Sequence, residues 1–355
     1  MRRKISAGAA LTATLTLAVC SLLTLQFTAR WQPSGTPVAV ARAGASPRPA
    51  ADIKPYPATG KRVRLRLGVT TLDLARNSYR SWTKRDLQQV NAFERHARRH
   101  ADMVMWFADW EHVTNFNARQ AAAVRARGSI PEISWEPWDS SKGARVPQPR
   151  YRLARIIDGS HDDYIHRWAR EIAAYGGRVR IRFAQEMNAR AYPWAERTNG
   201  NHRGEFVQAW RHVRTIFKAE GATKVTWIWS PVAGRIIPGQ FPGSSQVDVL
   251  ALSGFNGGPL VFRRSWRPFR VAFGPPLNYL HHLAPAIPVE LSEVGSVEKG
   301  GSKAAWIRGM FREIRRRPYV HSLVWFNVRK EADWRIESSR SARRAFVRGL
   351  SRASR

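Results

Sequence analysis

The stretch Arg178-Val-Arg-Ile-Arg-Phe-Ala-Gln-Glu-Met-Asn-Ala-Arg-Ala-Tyr-Pro-Trp194 decides how the rest of the chain is read. Val179, Ile181 and Phe183 alternate with Arg180, Arg182 and Ala184, the period-two pattern of a β-strand. A strand inside a large α/β domain is expected to be apolar on both faces, yet one face here carries Arg180, Arg182 and then Glu186. Arg182 and Glu186 are four residues apart, which points them the same way at the strand's C-terminal end. Buried charge is costly unless paired, so two readings compete. One is an edge strand with a solvated basic face; the other is an inward polar face that forms a site. Met187-Asn188 and Tyr192-Pro193-Trp194 follow directly and favour the site. An amide and aromatic rings beside a carboxylate suit sugars, whose C–H faces stack while their hydroxyls hydrogen-bond.

Outward from this stretch the chain alternates strand-like and helix-like segments, the signature of an α/β fold. Other strands are expected at 65–70, 103–107, 130–135, 225–229, 247–252, 287–293 and 323–326. Helices are expected at 83–100, 116–127, 160–175, 204–220, 302–316 and 339–350. Thr83, Ser160 and Ser302 would be their N-caps, and Gly128 and Gly176-Gly177 their stops. Eight strand–helix units in one run fit a single (β/α)8 TIM barrel over residues 63–355. A doubly wound open sheet is the competing architecture, weakened because no Gly-rich phosphate loop follows the first strand.

In a barrel, functional side chains gather at the C-terminal strand ends. There the sequence concentrates Asp109 and Trp110, Glu136 and Trp138, Glu186, Trp229, Asn256, Glu293, and Trp325 with Asn327. One Trp alone is more often packing than platform; the repetition is what suggests substrate contacts. Glu186 and Glu293 are the carboxylates to pair. In Ile287-Pro-Val-Glu-Leu-Ser-Glu293, alternation puts Ile287, Val289 and Leu291 on Glu293's face. Glu290 then lies on the opposite face, a buried or helix-facing partner for an arginine unless a bulge turns it inward. Two carboxyls on facing strand ends, one protonated and one ionised, are the equipment for glycoside hydrolysis. Glu136 is a further candidate for binding substrate. His281-His282 and the scattered histidines lack ligand spacing, so neither a metal nor another cofactor is expected.

The chain has 355 residues, 43% of them hydrophobic, and 15 Trp, enough for a large core in one or two domains. Its net charge of +33, carried mainly by Arg, invites a nucleic-acid or anionic-surface reading. No helix-turn-helix, ribonucleoprotein or zinc-finger pattern is present, and the arginines are spread along the whole chain. No specific nucleic-acid partner is therefore expected. A solvated basic surface is the simpler reading, and electrostatic contact with anionic cell-wall polymers the functional one. Residues 1–30 read as a signal segment: Arg2, Arg3 and Lys4 precede an uncharged apolar run from Ala7 to Phe27. The run approaches membrane-spanning length, so a cleaved signal peptide and an uncleaved membrane anchor both stay open. Cys20, the single cysteine, lies in that run, so the exported part holds no disulfide. Residues 31–62 read as a flexible, disordered Pro/Ala-rich linker. The expectation is a secreted or cell-surface monomer.

Several stretches in one order carry a family resemblance: Met105-Trp-Phe-Ala-Asp-Trp110, Gly128-Ser-Ile-Pro-Glu-Ile-Ser-Trp-Glu-Pro-Trp138, Arg182-Phe-Ala-Gln-Glu-Met-Asn188 with Tyr192-Pro-Trp194, Trp227-Ile-Trp-Ser-Pro231, Ser292-Glu-Val-Gly-Ser296 and Trp325-Phe-Asn327. Over residues 67–336 the chain resembles glycoside hydrolase family 26, the β-mannanase family of the retaining (β/α)8 clan. The resemblance implies Glu186 as acid/base and Glu293 as nucleophile of an endo-acting enzyme on β-1,4-mannan or a related β-glucan. With the residue reading, it proposes Trp110, Trp138, Arg182, Gln185, Asn188, Trp194, Trp229, Phe255 and Trp325 as substrate-binding. Trp194 and Trp325 would stack sugars, while Arg182 and Gln185 would hold charge and orientation. Three positions depart from the family pattern. Gln185 stands where His is usual, Phe255 where Tyr is usual, and Val232 where Asn is usual. Gln can donate a hydrogen bond but cannot share a proton. A phenol lost at Phe255 should raise the pKa of Glu293. This altered shell keeps a second reading open, a glycan-binding or wall-associated barrel with weak or no activity.

Overall fold

The computed structural model describes residues 64–75, 84–234, 236–261 and 265–353. The expected signal segment, the linker and the Thr83 cap lie outside these residues. Eight strands run parallel and close in sequence order: β1 (Arg66–Thr71), β2 (Met103–Asp109), β3 (Ile130–Glu136), β4 (Val179–Phe183), β5 (Val225–Trp229), β6 (Val249–Asn256), β7 (Val289–Ser296) and β8 (Val320–Asn327). The ring shuts where β8 pairs β1, with Leu67 beside Leu323 and Val69 beside Trp325. Nine helices accompany the strands among the described residues: α1 (Leu72–Ala75), α2 (Lys84–Ala97), α3 (Ala118–Ala126), α4 (Leu153–Ile157), α5 (Asp162–Tyr175), α6 (Glu205–Ala219), α7 (Phe269–Leu283), α8 (Lys303–Arg316) and α9 (Arg340–Ala353). The fold is the expected (β/α)8 barrel rather than an open sheet.

Period-two alternation sorts the side chains between two cores. Val179, Ile181 and Phe183 join the large apolar cluster shared with the helices. Inside the barrel, Met103, Met105 and Phe107 pack with Val324, and Ile228 packs with Val249 and Ala251. Gly68 belongs to this inner wall, where a Cβ would stand 2.8 Å from Val324 Cγ2. Arg180 and Arg182 also point inward, at 4% and 0% exposure, which rules out the solvated edge strand. Arg180 donates through Nε to Glu132 on β3 at 2.7 Å and through Nη2 to Glu290 on β7 at 2.5 Å. β4 and β7 are not neighbours, so this bond spans the barrel interior. Ser322 on β8 donates to the same Glu290 oxygen at 2.6 Å. Burial, then the charge of Glu290, pushes Glu132 up to about 7.

Several helices differ from expectation for identifiable reasons. After β5 no α-helix is present among the described residues. The chain reaches β6 through the 3-10 turns Pro238–Gln240 and Ser244–Gln246, in a segment punctuated by Pro231, Gly234, Pro238, Gly239, Pro242 and Gly243. Conversely, α7 forms across Pro275 and Pro276, a helix the sequence pattern does not suggest. Each interior proline costs about 3 kcal/mol. Burying Phe269, Phe273, Leu277 and Leu280 at roughly 1.5–3 kcal/mol apiece offsets both. Ser160 does not cap α5; its Oγ donates to Asp158 at 2.5 Å, and the helix begins at Asp162. Asp162 and Asp163 supply negative charge to its positive end instead. α3 starts at Ala118 under an Asn117 cap, while Ser302 caps α8 as expected, accepting from Ala305 N at 3.2 Å.

The Arg180 network makes a stability prediction. Arg180→Met leaves Glu132 and Glu290 buried without their cation, which should lower unfolding free energy by roughly 3–5 kcal/mol. Adding Glu132→Gln and Glu290→Gln should recover most of it in urea unfolding. A triple variant as unstable as the single one would assign the loss to packing rather than charge.

Candidate active site

The chain beyond β4 leaves strand geometry at once. Ala184 and Glu186 take φ of +46° and +57°, so Glu186 does not follow Arg182 by simple alternation. The turn is held by its backbone: Ala184 N donates to Trp135 O at 3.0 Å and Glu186 N to Ser230 O at 2.7 Å. The Glu186 side chain, 2% exposed, accepts from Ser253 Oγ on β6 at 2.7 Å. β7 departs from alternation too. Glu290 and Glu293 both face the barrel interior, because the pairing with β8 shifts register between Leu291 and Val294 and Glu293 takes φ of +62°. The expected shared face of Ile287, Val289, Leu291 and Glu293 is therefore wrong. Ile287, Val289 and Leu291 enter the helix-side cluster, and the bulge turns Glu293 away from them.

Arg182 gathers the site. Its Nη1 donates to Glu293 Oε2 at 2.5 Å and Ser134 Oγ at 2.9 Å, and its Nε to Ser230 Oγ at 3.0 Å. Burial alone would lower the guanidinium pKa, but the carboxylates of Glu293 and Glu186 outweigh it, and the net shift is upward. Burial, then the charge of Glu293, pushes Glu186 up to about 7, with Arg182 and Ser253 opposing. Glu293 is raised as well, first by burial, while Arg182 and then Lys330 pull the other way. The two carboxyls thus sit in different company: Glu293 is in direct contact with a cation, Glu186 with a neutral hydroxyl. That asymmetry favours a protonated Glu186 beside an ionised Glu293.

The shell around them is only partly what the strand-end pattern suggests. Gln185 donates through Nε2 to Glu136, and Trp138 Nε1 donates to the other Glu136 oxygen at 3.1 Å. Trp194 donates to Gln185 O at 2.8 Å, stacks on Tyr192 with ring centroids 4.4 Å apart, and meets Trp138 edge-on at 5.5 Å. Arg182 thus meets Glu293 directly, while Gln185, Trp138 and Trp194 gather with Glu136 beside the turn that carries Glu186. Asn188 exchanges two hydrogen bonds with the Val232 backbone, at 3.0 and 2.8 Å, and clips the β4 and β5 loops together. Phe255 is half-buried against Phe326 and Trp334, each with its ring centroid 5.1 Å away, and Arg182 supplies a donor to Glu293.

The five tryptophans proposed as substrate-binding are all buried, Trp110 at 4% exposure and Trp138, Trp194, Trp229 and Trp325 at 0%. Trp325 lies between Trp306 and Phe346 in the helix layer and donates to Trp334 O at 3.0 Å. Trp229 packs on Phe241, and Trp110 on Trp135, Tyr164 and Phe183. The reason is parity: Val324 and Ile228 point inward, so Trp325 and Trp229 beside them point out. Ser134, Ser230, Ser253 and Lys330 were not anticipated. The parity of Ser134 with Glu132 on β3 was the available signal. Among the described residues no group of three or more His, Cys, Asp or Glu converges as a metal site would.

No protein-family model matches the chain. Over 276 residues it is 32% identical to Endoglucanase H of Acetivibrio thermocellus, a match covering 75% of this chain and 29% of that protein. The chain thus spans less than a third of that relative's length. Among solved structures it is similar to a GH26 β-mannanase from Bacteroides ovatus, with TM-score 0.59, 15% identity and coverage of 82% of this chain and 90% of that one. The catalytic domain of a GH26 endo-β-1,4-mannanase from Bacillus sp. JAMB-750 gives TM-score 0.61, 15% identity and coverage of 82% and 86%. A β-mannanase from a symbiotic protist of the termite Reticulitermes speratus, solved with a gluco-manno-oligosaccharide, gives 0.55, 12% identity and coverage of 82% and 87%. The fold neighbours are thus GH26 β-mannanases, the family that the sequence motifs resemble.

Glu186 has a folded-state pKa above its ordinary 4.5. Its contribution to stability is complete below that ordinary value and is lost as pH rises through about 7. Glu186→Gln keeps the acceptor for Ser253 without the buried charge. It should match the parent in urea unfolding below about pH 4 and exceed it increasingly as pH rises to about 7. A constant offset at every pH would mean that Glu186 ionises as freely in the folded chain as in the unfolded one.

Proposed function

We propose that this chain is a glycoside hydrolase of family 26, a retaining, endo-acting enzyme on β-1,4-mannan or a related β-glucan. The observation that carries the reading is the pair itself. Glu293 touches Arg182 at 2.5 Å, while Glu186, held by Ser253 at 2.7 Å, is pushed up to about 7. In the first step Glu186 gives its proton to the glycosidic oxygen as the leaving group departs. Ionised Glu293 attacks the anomeric carbon and forms a glycosyl ester. Esterification removes the negative charge that helps raise the pKa of Glu186. Glu186 then ionises more readily and can take a proton from the attacking water. Arg182 keeps Glu293 ionised before attack and accepts it again as leaving group. Trp138, Tyr192 and Trp194, all buried, brace the turn that carries Gln185 and Glu186.

The substrate alternatives follow the relatives, whose names include mannanases and an endoglucanase. Gln185 in place of the family's histidine, already bonded to Glu136, favours a second reading, a barrel that binds glycan with little or no turnover. Export belongs to the same proposal, on the basic and apolar opening segment, as does electrostatic contact between the basic surface and anionic cell-wall polymers.

Glu186→Gln should lower turnover by roughly 10²- to 10⁴-fold, and Glu293→Gln should abolish ester formation while oligosaccharide affinity persists. Proton NMR of fresh hydrolysate should show the β-anomer first; an initial α-anomer would exclude double displacement. A barrel that only binds would show affinity and no turnover before any substitution. For the surface, retention on anionic wall material should fall steeply as salt rises from about 0.05 to 0.5 M. Retention that ignores salt would leave the charge of +33 without this role.

A further inference from the structure

Glu136 takes no step in the double displacement, yet it is buried at the end of β3 within electrostatic reach of Glu293. Its Oε2 accepts the indole N–H of Trp138 at 3.1 Å, and its Oε1 accepts the side-chain N–H of Gln185 in a short contact. Gln185 immediately precedes Glu186, and its main-chain oxygen accepts from Trp194 at 2.8 Å. Trp194 stands edge-on to Trp138 at 5.5 Å, so the two indoles that brace this unit also brace each other. One end of the Gln185 carboxamide is thereby fixed. The other end is not: Oε1 is buried and meets no donor. A buried polar atom left unmet calls for a ligand, and a sugar hydroxyl can both donate and accept.

We propose that Glu136 is a positioning residue: it holds the Gln185 carboxamide so that its free end meets a ring hydroxyl of the glycan beside Glu186. This rests on the glycoside hydrolase reading for the identity of the ligand. A carboxamide swings freely about its last torsion unless one end is tied. Glu136 ties it, and Trp138 ties Glu136. Gln185 without Glu136 should contribute little, and Glu136 without Gln185 nothing further to binding.

A double-mutant cycle tests this coupling. With β-mannan or β-glucan oligosaccharide, Glu136→Ala and Gln185→Ala should each lower kcat/KM about tenfold, the scale of one hydrogen bond at 1.4 kcal/mol. The double variant should fall no more than about twofold below Gln185→Ala. Glu136→Gln keeps an acceptor for Gln185 and should stay within about threefold of the parent. If Glu136→Ala does not fold, Glu136→Met takes its place in the cycle. Losses that multiply, or a Glu136→Ala variant with unchanged kcat/KM, would overturn the proposal. If the parent has no turnover, the same cycle is read as dissociation constants for the oligosaccharide. Coupled losses there keep the positioning role while the hydrolase reading fails, and absence of any binding rejects both.

Discussion

A charged side chain inside a closed barrel has to find its counter-charge there, because the surrounding strands keep bulk water away. β4 places two arginines in that position, one above the other, and both are answered across the interior. Arg180 takes Glu132 and Glu290 with Ser322; Arg182 takes Glu293 with Ser134 and Ser230. Pairs of this kind add little net stability over a well-packed apolar core, but removing one member is expensive. Their consequence is geometric. Arg182 reaches from β4 to the bulge of β7, and so fixes where Glu293 stands relative to Glu186.

The backbone accepts strain to make that arrangement. Ala184, Glu186 and Glu293 all adopt positive φ, and such positions cost of order 1–3 kcal/mol each when they are not glycine. Two of the three are the proposed catalytic carboxylates. Each is over-determined by its neighbours: Glu186 by Ser230 O and Ser253 Oγ, Glu293 by Arg182 and the shifted register against β8. A regular strand would carry at most alternate residues to the axis. The bulge lets Glu290 serve the lower arginine and Glu293 the upper one from a single strand.

The two carboxylates sit in different surroundings that the fold assembles separately. β6 supplies a neutral hydroxyl to Glu186, β4 the guanidinium to Glu293, and the loop after β8 brings Lys330 within range of Glu293. A buried aromatic cluster comes from the loops after β3 and β4, where Trp138, Tyr192 and Trp194 lock together and reach Gln185 and Glu136. The tryptophans on the other parity brace the helices instead. Trp325 packs on Trp306 and Trp229 on Phe241.

By itself the sequence determined the barrel, because period-two and period-3.6 patterns report local backbone geometry, and eight of them in alternation leave few ways to close. It also favoured an inward polar face on β4 over a solvated edge strand, from the residues that follow Glu186, and burial of Arg180 and Arg182 decided between the two. It proposed Glu186 and Glu293 as the pair through their place at strand ends and the motifs that resemble a known family. Alternation failed on β7, where one extra residue reverses every later face, and nothing in Val289-Glu-Leu-Ser-Glu293 announces a bulge. It was also silent on α7, whose prolines hide a helix that tertiary burial stabilises. Where each tryptophan packs, which serines answer Arg182, and why Glu293 meets a cation while Glu186 meets a hydroxyl were decided only by the tertiary structure. Those properties depend on contacts between strands far apart in the chain, at distances that no local pattern encodes.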